Sequence, residues 1–178
     1  MLKENTLPIQ VDPFRFADNA ICLQGTLYIK DMQRLVSGLY TNDGEIKVDI
    51  EFGVDRQGIH FLRGQITACL TLQCQRCLEP FGHEIESSFL SGIVRSEEEA
   101  NQLPKGYDQL IVKEGMLTIQ DVVEDELIIN LPIVPMHRVN DKVNDCKVKL
   151  PLEIGTNENV EVGKENPFKV IEFLKVRS

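Results

Sequence analysis

Two cysteines three positions apart, in Cys74-Gln-Arg-Cys77-Leu-Glu-Pro80-Phe81, are the residues of this chain best spaced for chemistry. Thiols at that spacing can share a metal, exchange electrons or simply pack. A zinc ion needs a tetrahedral set, and Cys146 with His137 or His83 could complete one. A four-cysteine ribbon would carry a second Cys-x-x-Cys, whereas Cys146 is the single cysteine downstream of Cys77. A thioredoxin-like pair opens a helix after a parallel strand, but this pair follows an alternating strand and stands just before Pro80. The residues by themselves therefore favour reduced, packed or partly exposed thiols and no resident cofactor. Zinc on Cys74, Cys77, Cys146 and His137 is the alternative.

The acidic run Glu124, Asp125 and Glu126 is the second candidate, able in principle to hold Mg²⁺ or to serve in acid/base chemistry. Asp121 and Asp125 converge at i, i+4 on a helix, yet no general base or substrate-positioning cluster joins them, so a solvated helix face is expected. His60, His83 and His137 are scattered with no nucleophile at a recognisable spacing. The glycines form neither a G-x-x-x-x-G-K-[ST] nor a G-x-G-x-x-G loop, and stacking of RNA bases is poorly served by 6% aromatics and no Trp.

The elements that position these residues are read from periodicity. Ile46, Val48, Ile50 and Phe52 alternate with Glu45, Lys47, Asp49 and Glu51, as on a strand with one wet face. A turn at Asp55-Arg56-Gln57-Gly58 leads into a second alternating run, Ile59 to Leu72, with Gly64 expected to mark a bulge or bend. In that run Ile66, Ala68, Leu70 and Leu72 share one face, and Cys74 inherits their parity, which predicts that it points into the core. His83 to Leu90 supplies a further strand. Asp31 is expected to cap a helix carrying Met32, Leu35, Val36 and Leu39, and Thr118 to cap one carrying Ile119, Val122, Val123, Leu127 and Leu131, ended by Pro132. Leu131-Pro132-Ile133-Val134-Pro135 must run extended.

This succession predicts an α+β fold built on an antiparallel, strongly curved sheet with two or three packed helices. The expected division is a core domain over 1–137, a polar, disorder-prone loop over 138–165 and a C-terminal docking helix over 166–178, opened by Asn166-Pro167-Phe168. The polar N-terminus lacks the apolar core of a secretory signal, and no apolar run approaches the ~18 residues of a membrane span, so a cytoplasmic protein with reduced cysteines is expected. The formal charge is −9: residues 1–137 hold 11 Lys/Arg against 21 Asp/Glu, residues 138–178 hold 8 against 7. Such a body does not suit non-specific nucleic-acid binding but does suit a basic protein partner.

Two segments, Cys74-Gln-Arg-Cys77-Leu-Glu-Pro80-Phe81 and Val122-Val-Glu-Asp-Glu-Leu-Ile-Ile-Asn-Leu-Pro132-Ile-Val-Pro135-Met-His137, resemble the signature of the large ribosomal RNA subunit accumulation (YceD) family. Leu7-Pro8-Ile9, Asp12-Pro13, Val94-Arg95-Ser96, Cys146 and Asn166-Pro167-Phe168 follow in the family's order. The resemblance implies a bacterial, cytoplasmic, non-enzymatic ribosome-biogenesis factor for synthesis, processing or stability of 23S rRNA. It implies as partners large-subunit rRNA or a basic ribosomal protein, directly or within an assembly intermediate, with no membrane and no small-molecule substrate. The candidate binding residues on these segments are Cys74, Arg76, Cys77, Pro80, Glu124, Asp125, Glu126, Pro132 and Pro135, with no catalytic residue. The alternative is a zinc-binding or thiol-based adaptor or sensor, followed by an RNA-processing enzyme.

Overall fold

A computed structural model describes residues 7–113, 115–137 and 146. All of these belong to one compact unit, Met1–Val148. The chain order is β1 (Gln10–Val11), α1 (Pro13–Asp18), β2 (Cys22–Tyr28), α2 (Gln33–Val36), β3 (Glu45–Val54), β4 (His60–Gln73), β5 (Pro80–Val94), α3 (Glu97–Ala100), β6 (Asp108–Ile111), β7 (Leu117–Thr118) and α4 (Ile119–Ile129). The α+β class holds. Strands β2-β3-β4-β5-β6 form one five-stranded sheet, and β1 pairs with β7 in a separate ribbon.

Strands β2 to β5 are an antiparallel meander, as alternation joined by tight turns demands. Strand β6 departs from the expected antiparallel sheet, because it runs parallel to β5 with Ser91 opposite Asp108. A parallel neighbour requires a crossover, and the stretch 95–107 containing α3 supplies it. The sheet is open, with β2 and β6 at its edges, and the strong curvature expected from the sequence is not found. Four α-helices occur among the described residues rather than two or three, of which α1, α2 and α3 span two turns or less. The proposed loop over 138–165 and helix over 166–178 lie outside the described residues, Cys146 excepted.

The parity of β3 and β4 is the predicted one. Ile46, Val48, Ile50 and Phe52 are buried, as are Ile66, Ala68, Leu70 and Leu72. Opposite them in register, Ile46 faces Ala68 and Ala68 faces Ile85, so three strands contribute to one apolar layer. Against that layer pack Met32, Leu35, Ile119, Val123 and Leu127. Burying a side chain of this size contributes on the order of 1.5–3 kcal/mol, so this layer is the main source of cohesion.

Gly64 is not a bulge. Strand β4 runs through it without interruption, pairing Ile50 with Gly64 and Gly64 with Phe89. The glycine lies on the buried face, and the Phe89 ring occupies the space that a Cβ would need. Gly64→Ala is expected to destabilise the fold by about 1–3 kcal/mol by overpacking. In a Phe89→Ala background the same change should cost less by at least ~0.5 kcal/mol, since the obstructing ring is gone. Urea melts of the two single variants and the double variant check this, and strictly additive losses would contradict the ring-over-glycine packing.

Candidate functional site

The β4–β5 hairpin is where the sequence-predicted thiols lie. Strand parity carries Cys74 to the buried side, where it has no exposed surface, while Cys22 and Cys69 are exposed. The turn that follows is held by backbone bonds: Cys74 N–H donates to Glu79 O at 2.9 Å, and Leu78 N–H to Cys74 O at 2.8 Å. Leu78 adopts φ +63°, a left-handed conformation disfavoured for a side chain of this kind and kept only where surrounding contacts impose it. Pro80, which cannot donate to a ladder, is the first residue of β5 and pairs with Gln73.

A second segment closes on this hairpin from the far side of α4. Pro135 O accepts from Gln75 N–H at 2.9 Å, and the Arg76 guanidinium reaches Met136 Sδ at 3.6 Å. His137 is buried with its ring 4.9 Å from that of Phe81, and its Nδ1 lies 3.4 Å from Cys77 Sγ. Cys146 is also buried, packed with Leu72, Cys74 and Phe81. The potential ligand atoms of Cys74, Cys77, His137 and Cys146 all fall within 4.8 Å of one another. His83, the other histidine considered for this set, is not among them. Pro132 is half-buried in the connecting segment.

Ionisation within the cluster is uneven. Burial would raise the Cys74 thiol, but backbone N–H groups of Cys77, His137 and Arg76, then the His137 side chain, outweigh it and hold Cys74 down at about 5. Burial pushes Cys77 the other way, against the Glu79 N–H, with the neighbouring Cys146 and Cys74 adding to the rise. The Cys74 sulfur is thus favoured as a thiolate beside a Cys77 thiol that resists a second negative charge.

The acidic run is not a uniformly solvated face. Glu124 is 4% exposed, and its carboxylate accepts from the backbone N–H groups of Arg34 (2.8 Å) and Leu35 (3.0 Å) and from Arg34 Nε (3.0 Å). These N–H groups lie in the first turn of α2, whose N-cap residue, Met32, has no side chain able to accept them. A carboxylate from α4 therefore caps α2, a role the sequence reading assigned to Asp31. Asp31 instead ends a 3₁₀ turn, Ile29–Asp31. Asp125 bridges to Arg34 Nη1 at 2.5 Å, and Glu126 accepts from Ser87 Oγ at 2.6 Å and Asn130 Nδ2 at 2.9 Å. No spacing rule could have announced the cap, because its partners are 89 and 90 positions apart.

Glu124→Ala is expected to destabilise the chain by about 2–4 kcal/mol, since two helix-terminal donors and a guanidinium lose their acceptor at once. Asp125→Ala, removing a bridge exposed on both sides, should stay within about 0.5 kcal/mol. Denaturant melts of the two variants compare them directly, and equal losses would contradict the tertiary cap.

Comparison with known proteins bears on the whole chain. The family described as "Large ribosomal RNA subunit accumulation protein YceD" matches residues 62–175, which include the hairpin, α4 and all four clustered residues. A protein of Haemophilus influenzae named "Large ribosomal RNA subunit accumulation protein YceD" is 31% identical over 171 residues, covering 95% of this chain and 96% of the relative. No solved structure matches. Extending over almost the full length of both chains and running through the thiol hairpin and the capping helix, this likeness establishes that the chain belongs to the YceD family.

Proposed function

We propose that this chain is a non-enzymatic factor of ribosome biogenesis that supports the synthesis, processing or stability of 23S rRNA in the bacterial cytoplasm. Its family and the name of its Haemophilus relative support a role in accumulation of the large-subunit RNA. No helix among the described residues is long and apolar enough to cross a membrane. We place the contact with a basic ribosomal protein on the outer face of the sheet, and one observation carries that choice. Across β3, β4 and β5 the outward positions bear Glu45, Asp49, Glu51, Glu84 and Glu86 against Lys47 and Arg63.

Arg63 is already paired with Glu51 at 3.1 Å. That leaves four carboxylates facing one lysine, with Glu45, Lys47, Glu84 and Glu86 around a shallow concavity. A surface of one sign accelerates encounter with a partner of the other and disfavours nucleic acid. The acidic helix residues fit this role less well, because Glu124 and Glu126 are occupied by Arg34, Ser87 and Asn130. The same occupancy weakens the reading of an RNA-processing enzyme, which would need those carboxylates for Mg²⁺.

Deleting the protein is expected to lower mature 23S relative to 16S rRNA, and an unchanged ratio would overturn the assignment. A chain carrying Glu84→Lys and Glu86→Lys should fold normally, both positions being exposed, yet fail to restore the ratio and capture less basic ribosomal protein from nuclease-treated lysates. Loss of all large-subunit material on nuclease treatment would instead indicate RNA contact, for which residues 138–178 have the less acidic composition.

A further inference from the structure

The geometry points to a structural zinc site formed by Cys74, Cys77, His137 and Cys146. Four donors of the types that zinc prefers converge from three separate parts of the chain, the β4–β5 hairpin, the segment after α4 and Cys146, and all lie within 4.8 Å of one another. With Zn–S near 2.3 Å and Zn–N near 2.0–2.1 Å, a tetrahedral site needs sulfurs about 3.7 Å apart and sulfur to nitrogen about 3.5 Å. The Cys77 Sγ to His137 Nδ1 separation, 3.4 Å, already has that length. The remaining separations need contract by no more than about 1.3 Å to reach the same tetrahedron.

The donor set selects the metal and its role. Three sulfurs and one imidazole suit tetrahedral zinc, whereas Mg²⁺ and Ca²⁺ take oxygen ligands. Four protein ligands fill the coordination sphere, and Cys74, Cys146 and His137 are buried, so the site offers no open position for substrate or water. With Zn²⁺ bound, the three cysteines are thiolates and the imidazole is neutral around a dication, any thiol proton still present being released to solvent. The surroundings hold the ligands in place: the Phe81 ring lies against His137, and the Gln75 to Pro135 bond ties the hairpin to the histidine segment. Packed thiols alone would give no reason for a buried histidine at tetrahedral distance from one of them.

The test is elemental analysis of the full chain purified untagged from cells grown with ample zinc, together with Co²⁺ titration of chelator-stripped protein. About one zinc per chain is expected, with a saturating Co²⁺ spectrum at one equivalent that shows tetrahedral d–d and thiolate charge-transfer bands. Cys146→Ala should reduce bound zinc at least tenfold, whereas Cys22→Ala and Cys69→Ala should leave it unchanged. Chelation should lower the melting temperature of the intact chain by about 10 °C or more. Less than a tenth of an equivalent of zinc with no tetrahedral Co²⁺ spectrum overturns the site, as does a disulfide among Cys74, Cys77 and Cys146 in the protein as isolated from the cytoplasm. Full zinc retention in Cys146→Ala overturns the four-ligand set. The wild-type metal content decides even where a variant fails to fold.

Discussion

Inward and outward positions on β3, β4 and β5 are fixed by one register, in which Ile46 faces Ala68 and Ala68 faces Ile85. A slip of a single residue between any two of these strands would exchange their buried and wet faces, placing Glu45, Lys47 and Asp49 where Ile46, Val48 and Ile50 now lie. The cost of burying those charges unpaired would exceed the whole stability of an ordinary domain, so the register is strongly specified. The same parity continues beyond the last residue of β4 and turns Cys74 inward. The thiol cluster is thus an extension of the apolar layer at one end of the sheet, and the acidic outer face is its necessary counterpart.

Much of this was legible in the sequence because it depends on local period. The alternation in β3 and β4, the Asp55 to Gly58 turn and the start of α4 after Thr118, whose side chain makes no capping bond, are each written within a few residues. The family signature adds the hairpin and the segment around Pro132 and Pro135 as a pair, without saying that they touch. Illegible were the features whose partners are remote. Glu124 reads as one more acid in a charged run until α2 is folded against it, and Cys146, although named as a possible zinc ligand, has no spacing that announces its packing against Cys74. Strand β2 has mixed burial and a central Gly25, which hides its period, and β6 has only four residues. Gly64 misled because a glycine within a strand commonly marks a bulge, and the ring that fills its place comes from the neighbouring strand.

The site and the proposed binding face share elements. Glu84 and Glu86 stand on β5 a few residues beyond the hairpin that carries Cys74 and Cys77. Any ion that fixes the hairpin would also fix the start of β5, and with it the spacing of the carboxylates on the opposite face. Rigid presentation matters for a small recognition surface, because side-chain ordering on binding costs about 0.5–1.5 kcal/mol for each flexible group. A structural centre can in this way influence recognition without touching the partner.

The cap of α2 by Glu124 has a consequence for the order in which the protein is made. The N-terminal part of the chain, with β2, α2 and β3, leaves the ribosome well before α4 is synthesised, and the first-turn donors of α2 then have water in place of the Glu124 carboxylate. At about 5–20 residues per second, the 90 residues separating Arg34 from Glu124 take on the order of 5–20 s to translate. During that interval Met32 and Leu35 lack the helix that later covers them, and the nascent sheet carries an open apolar face. The chain therefore emerges with its own inner surface waiting on a residue not yet added, and its folding is completed late in its own translation.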